Sequence, residues 1–428
     1  MRRNRGQITV DEALDHIQSG DLIAAGMYTA EPKQIFRRLH EICGRVRNVS
    51  LWTCLLGEDY PFVTNPAYWD TFRFYSIFNG PQMRRCMKEG AGAFLPNNLC
   101  YLGEEQVARR APDIYFGAAT LPEKDGTLWL APSLQTELEN FRAAKIRILE
   151  LNPHVPRVFG ASKIHMEDLD GYILSDAAVF DNPMPLPGET DRAIARRVAA
   201  LIHDGDTIQF GIGRLPEAIS DALMEKRDLG IHTEMLGNSL GRLIQAGAVT
   251  NARKNFLPGE SVVGFVWGSR EFYDFIDSRQ DIRIEPSRFV NDACIIGKND
   301  NLVSVNSALS VDLTGQICSE SIGTLQYSGT GGAMDFAMGA FRSRGGRGII
   351  AMPSTTGNGR ISRITAVLAP GSAVSIQRGY TDYVITEYGT ARLRGRTIPE
   401  RAEALIGIAH PAFRGQLRED AERAGYLD

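Results

Sequence analysis

One stretch of this chain occurs twice. SGDLIAAGMYTAEPKQIFRRL begins at Ser19, and HDGDTIQFGIGRLPEAISDAL begins at His203. Gly20 matches Gly205, Asp21 matches Asp206, Ile23 matches Ile208 and Gly26 matches Gly211. After a one-residue gap Pro32 meets Pro216, Ile35 meets Ile219 and Leu39 meets Leu223. Each copy reads as strand, glycine turn and helix, the opening phrase of an α/β unit. Gly-Asp followed by strand, turn and helix is common in α/β chains. Seven matched positions, two glycines and a proline among them, favour duplication. The expected architecture is α/β, two related open α/β domains with the active site between them. At 428 residues the chain exceeds one ordinary core. The proline cluster NPMPLPGET, Asn182 to Thr190, is the expected hinge, giving domains over 1–183 and 184–428.

Each copy is followed by apolar runs. VSLWTCLL, DIYFGAA and IRILELN read as buried strands of a mostly parallel first sheet. DTIQFGI, SVVGFVWG, ACIIG, LVSVNSA, GIIAMP, AVSIQR and DYVITEY are expected strands of the second half. Helices are expected at TVDEALDHIQ, capped by Thr9 or Asp11, at DRAIARRVAALIH, and in the amphipathic tail ERAEALIGIAHPAFRGQLREDAERAG.

Composition narrows the function classes. Hydrophobic residues are 43% and charged ones 23%, as in a water-soluble globular chain. A net charge of −4 argues against a nucleic-acid surface. No apolar run is long enough to span a bilayer, and the basic start MRRNRG lacks the apolar region of a secretory signal. The six cysteines are scattered without a CxxC pair, which reads as reduced thiols in a cytoplasm. The seven histidines form no HExxH or other ligand cluster, so no metal is expected.

Three segments carry candidate chemistry. GIGRLPEAI, from Gly211, follows a strand and opens a helix, so its N–H groups can receive an anion or a pantetheine amide. It lacks the third glycine of a dinucleotide fingerprint. SGTGGAMDF, from Ser328, lets turn amides face a developing oxyanion. Between them DLGIHTEML places Glu234, a carboxylate able to carry an acyl group as an anhydride or thioester. The plain readings are steric turns, a surface loop and a solvated or helix-capping glutamate. A rival nucleophile is Ser239 in GNSLG, which fits the GxSxG elbow of a serine hydrolase with His410 as the late histidine. That fold has no place for the duplication.

The second half resembles the acetyl-CoA hydrolase/transferase family of CoA-transferases, which includes 4-hydroxybutyrate and butyrate:acetate CoA-transferases. The similar runs are LIHDGDTIQFGIGRLPEAI, DLGIHTEM, NSALSVDLTGQICSESIG, YSGTGGAMDF, ITEYGTARLRGR and PERAEALIGIAHPAFR, in order. The first half is similar through SGDLIAAGM, LNPHVPRVFGASKIH and KDGTLWLAPS. The resemblance implies a glutamyl-CoA intermediate on Glu234 and an oxyanion donor at Gly331. It implies CoA contacts from Gly211, Ile212, Gly213, Arg214 and Leu215, from Leu309, and from Gly332. Asn291 and Glu387 fall where the family places polar groups facing the acyl portion.

Three departures concern the substrate: Arg214-Leu215 replaces Gly-Ile in the first turn, MLGNSL follows the glutamate, and Ala333 stands where the family often has glutamine. The implied reaction moves CoA from a short-chain acyl-CoA (acetyl-, butyryl- or 4-hydroxybutyryl-CoA) to a carboxylate, with no permanently bound cofactor. An acyl-CoA hydrolase using the same glutamate and a non-catalytic ligand-sensing protein remain as alternatives. A homo-oligomer is expected, with the apolar tail helices as a surface.

Overall fold

The computed structural model describes residues 6–428; the basic opening, residues 1–5, lies outside them. The chain forms two compact units. One holds the residues up to Pro183 together with 262–290, the other holds 184–261 together with 291–428.

The first unit is built on a seven-stranded sheet: β1 (Leu22–Ala25), β2 (Val49–Thr53), β3 (Phe72–Ser76), β4 (Gly92–Phe94), β5 (Ile114–Ala119), β6 (Ile146–Leu151) and β7 (Gly171–Leu174). The order is β7-β6-β5-β1-β2-β3-β4, with every pairing parallel. Parallel strands need crossovers on the sheet faces, so both faces are covered and the strands are largely apolar. All six residues of β5 are buried. Helix α1 (Lys33–Arg38) follows β1 and sinks Ile35 and Phe36 into a core that includes Tyr60, Phe62, Phe72 and Phe74.

The second unit has β8 (Thr207–Phe210), β9 (Gly230–Leu236), β10 (Leu302–Asn306), β11 (Arg347–Ala351), β12 (Tyr383–Thr386) and β13 (Gly389–Arg392). Their order is β13-β12-β11-β10-β8-β9. All neighbours are parallel except β13, which returns antiparallel beside β12. Helix α2 (Arg214–Leu223) follows β8, α3 (Asn238–Gln245) follows β9, and α4 (Ala333–Arg342) precedes β11.

The repeat is structural as well as textual. Gly20 and Gly205 share the left-handed conformation, φ +85° and +84°, that a side chain would strain. The Asp21 carboxylate accepts from the Gln18 amide at 2.8 Å, and that of Asp206 from the His203 amide at 2.6 Å. The Asp21 carbonyl accepts from Ser50 N–H and the Asp206 carbonyl from Gly230 N–H, each tying the lead-in to the next strand. In each unit the chain lays strands on one side of the first strand and then crosses to the other, between β1 and β5 or between β8 and β10. That reversal is a topological switch point, where open α/β sheets bind ligands at the carboxyl ends of their strands.

Two expected strands are not strands. ACIIG is a short helix, Ala293–Ile296, because Asp292 caps it through the Cys294 and Ile295 amides. AVSIQR is irregular apart from a bridge between Ile376 and Ile317. The opening helix, Val10–Asp15, carries a capping box between Thr9 and Glu12. The tail forms helices Ile398–Ile408 and Pro411–Arg423, whose Leu405, Ile406 and Leu417 are buried in the unit's own core. Those apolar residues therefore do not form the open surface expected of the tail. Among the described residues no helix is long and apolar enough to cross a membrane.

Candidate active site

Every candidate residue singled out in the sequence belongs to the second unit. Most lie at or just beyond the carboxyl ends of its strands. β9 runs from Gly230, where a Cβ would meet the Lys254 stem at 2.4 Å, to Leu236. Its first four residues are buried; Glu234 and Met235 then emerge half-buried. Glu234 is thus neither a solvated surface residue nor a helix cap. It sits near the carboxyl end of a strand whose first four residues are buried.

Its Oε2 accepts a hydrogen bond from Asn291 Nδ2 at 3.0 Å. Asn291 is fully buried. The same Nδ2 lies 3.5 Å from Asp335 Oδ2, while Asn291 Oδ1 has no hydrogen-bond partner. Two carboxylates on one side identify that atom as the donating nitrogen, since both are acceptors. The Glu234 carboxylate also lies against Gly332: a Cβ there would sit 1.9 Å from Glu234 Oε2 and 2.1 Å from Asn291 Nδ2. Gly332 caps α4, so the carboxylate meets the positive end of a helix. Gly331, at φ +55°, makes the turn into it.

The adjoining strands supply the other candidates. After β8 the chain opens into Gly211–Leu215. Gly213 is at φ +113° with open space around it, and the nearest neighbour of a Cβ on Gly211 would be Met235 Cε at 3.7 Å. Arg214 begins α2 and lies 3.7 Å from Asp191, its side chain largely exposed. After β10, Leu309 N–H is bonded to the Cys318 carbonyl at 2.8 Å. The loop after β8 and the loop after β10 therefore flank the switch point, beside the strand carrying Glu234.

Glu387 is held by a different turn. Both of its carboxylate oxygens are taken by Ser354, Oε2 from the backbone N–H at 2.9 Å and Oε1 from the hydroxyl at 2.6 Å. It links the turn after β11 to the turn after β12. Its charge also offsets the burial that lowers the pKa of Arg363. Sequence reasoning passed over Asp335 and Ser354. Asp335 has a readable signal, an acid in the first turn of a helix opened by a Gly-rich loop.

Ser239 does follow a strand and begin a helix, but it is fully buried. A nucleophile elbow must expose its hydroxyl. His410 instead caps the last helix through the Ala412 amide and stacks edge-on with Tyr388 and Phe413. Among the described residues no group of three or more His, Cys, Asp or Glu is placed to hold a metal ion.

The N-terminal domain of the acetyl-CoA hydrolase/transferase family matches residues 4–184, and its C-terminal domain matches residues 268–421. This chain belongs to that family. Within it, the 4-hydroxybutyrate coenzyme A transferase of Clostridium kluyveri is 40% identical over 353 residues, 82% of each chain. The succinyl-CoA:cyclohexane-1-carboxylate CoA transferase of Geobacter metallireducens is 38% identical over 421 residues, 96% of this chain and 94% of that one. Among solved structures, RipA from Yersinia pestis superposes with a TM-score of 0.92 at 32% identity, over 98% of both chains. The 4-hydroxybutyrate CoA-transferase of Porphyromonas gingivalis does so with 0.85 at 31%, over 99% of this chain and 98% of that one. A more distant family relative, the acetyl-CoA hydrolase of Candida albicans, is 26% identical over 53% of this chain.

Proposed function

We propose that this chain is a CoA-transferase that moves CoA from a short-chain acyl-CoA to a carboxylate acceptor through a thioester on Glu234. The observation that carries the reading is the seat of that carboxylate, hydrogen-bonded to Asn291 and pressed against a glycine that leaves no room for a Cβ. Relatives named as CoA-transferases along most of the chain support it.

In the first step a Glu234 oxygen attacks the acyl-CoA carbonyl; the C–S bond breaks, leaving a mixed anhydride and CoA thiolate. Negative charge gathers on the former thioester oxygen, and the Gly331–Gly332 turn at the helix start supplies the donating amides. The thiolate then attacks the glutamyl carbonyl and expels the first carboxylate, forming the enzyme–CoA thioester. An incoming carboxylate reverses both steps, so one thioester is exchanged for another and no ATP is consumed. Asn291 Nδ2 is placed to follow the charge on Glu234, first as a carboxylate and then as the glutamyl carbonyl oxygen. The loops Gly211–Leu215 and Asn306–Leu309 receive the pantetheine and nucleotide, whose binding offsets the cost of dehydrating the carboxylate.

Donor acyl-CoA alone tests this. It should convert the enzyme to a CoA adduct and release one carboxylate, and borohydride should then inactivate it by reducing the thioester at the Glu234 peptide. Adding a second carboxylate should give parallel double-reciprocal lines. Sequential kinetics with no donor-dependent inactivation would overturn covalent transfer. Turnover of acetyl-CoA that is indifferent to any added carboxylate would identify a hydrolase working through the same glutamate.

A further inference from the structure

The turn presented to Glu234 is held from outside the site by one buried carboxylate. Glu320 lies in the bend between the short strands Ile317–Cys318 and Ser321–Ile322, and is 6% exposed. Among the described residues no cation pairs with it. Its partners are neutral donors: Thr330 Oγ1, 3.0 Å from both Oε1 and Oε2; Ser375 Oγ, 2.8 Å from Oε1; and Gln326 Nε2, 3.2 Å from Oε2. Its carbonyl oxygen also accepts from Tyr327 N–H at 2.8 Å and Ser328 N–H at 2.9 Å. One residue therefore fixes both the entry to the Ser328–Gly332 turn, through its backbone, and the residue before Gly331, through its side chain.

We infer that Glu320 is a positioning residue for the acyl-transfer step, acting through the Thr330 hydroxyl to hold the Gly331 amide in its donating orientation; this rests on the CoA-transferase reading. Gly331 and Gly332, at φ +55° and −90°, lack the side chains that would restrict their backbone, so the turn needs an outside anchor. A donor that must rotate as charge develops loses most of its value to the transition state, and one held beforehand keeps it. A carboxylate suits the task better than an amide, because its acceptor-only oxygens take Thr330, Ser375 and Gln326 together. A glutamine would turn an NH2 group toward one of those donors. Burying an unpaired anion among neutral partners is costly, and a surface loop with no mechanical duty would not require it.

Glu320→Gln and Thr330→Val should each lower kcat by about tenfold to a hundredfold while KM for acyl-CoA changes less than about threefold. Thr330→Ser, which keeps the hydroxyl, should restore most of the rate. The double variant Glu320→Gln/Thr330→Val should be no slower than the slower single one, since both remove the same link. Multiplying losses, a rise in KM without loss of kcat, or full activity in Thr330→Val would each overturn the proposal. If Glu320→Gln does not fold, the Thr330→Val and Thr330→Ser pair decides alone. The underlying reading fails separately: Glu234→Gln retaining activity would discard the nucleophile, whereas an inactive Glu234→Gln beside a fully active Thr330→Val discards only the anchor.

Discussion

At the scale of single residues, the seat of Glu234 leaves almost no slack. Gly332→Ala would put a methyl group where Glu234 Oε2 and Asn291 Nδ2 now lie, so the carboxylate must move or the turn must open. We expect kcat to fall by about a hundredfold or more, with CoA still bound, because the loss falls on groups that act in the transition state. Stopped-flow measurement of enzyme–CoA formation checks this; an unchanged rate would mean that the carboxylate works from another position. Glu234→Gln, which keeps the shape and removes the proposed nucleophile, should lose about a thousandfold or more in turnover. The two glycine turns were legible because glycines that permit close approach leave a local mark, whereas Glu234 is one acid among 51 and stood out only through the runs around it that resemble the family. Asp335 carried only the local mark of an acid in a first helical turn; its significance depends on sharing Asn291 with Glu234, and that contact joins positions far apart in sequence.

At the scale of elements, what sequence pattern conveyed depended on whether period or tertiary context set the structure. The β8–turn–α2 phrase was plain, because strand, glycine and helix each leave a local mark. ACIIG is apolar enough for a strand, yet Asp292 caps it into a helix. The short apolar run offered no period to arbitrate. Beneath β9 lies a feature no pattern announces. Lys254 is 5% exposed, and its Nζ donates to the carbonyls of Ile231 at 2.9 Å and Glu260 at 2.5 Å. Burial brings its pKa from 10.5 down to about 7. Between those values the unfolded chain binds a proton that the folded one does not, so this group's contribution to stability is present above pH 10.5 and is lost as pH falls through about 7. Amide-exchange protection of β9, corrected for intrinsic rate, should therefore increase from about pH 7 toward 10. In Lys254→Met that dependence should disappear.

At the scale of the whole molecule, the first unit titrates in the opposite sense. Glu31, Glu137 and Glu150 are buried, and burial pushes each carboxyl from 4.5 up to about 7 against the hydrogen bonds each accepts. Their folded pKa values are raised, so the stability they contribute is complete below about pH 4.5 and is lost as pH rises through about 7. All four tryptophans, Trp52, Trp69, Trp129 and Trp267, belong to the first unit, so their fluorescence reports it alone. The urea midpoint read by tryptophan should fall between pH 5 and pH 8, and substituting the three glutamates by glutamine should flatten it. A midpoint that rises over that range would contradict the assignment.

The excursion of residues 262–290 into the first unit has a bearing on how such a gene can be recombined. The proline cluster after residue 183 looks like the seam for a swap between relatives. A single crossover there would give the first unit a foreign segment, its Phe265, Trp267 and Tyr273 inherited from the other parent. Tyr28 stacks on Phe265 with ring centroids 5.3 Å apart and meets Trp267 at 4.4 Å, so the mismatch would fall on aromatic packing. Three crossovers, near 183, 261 and 290, would keep each unit with one parent. Shuffled libraries built on one seam should be poor in folded members, and those built on three should be rich in them.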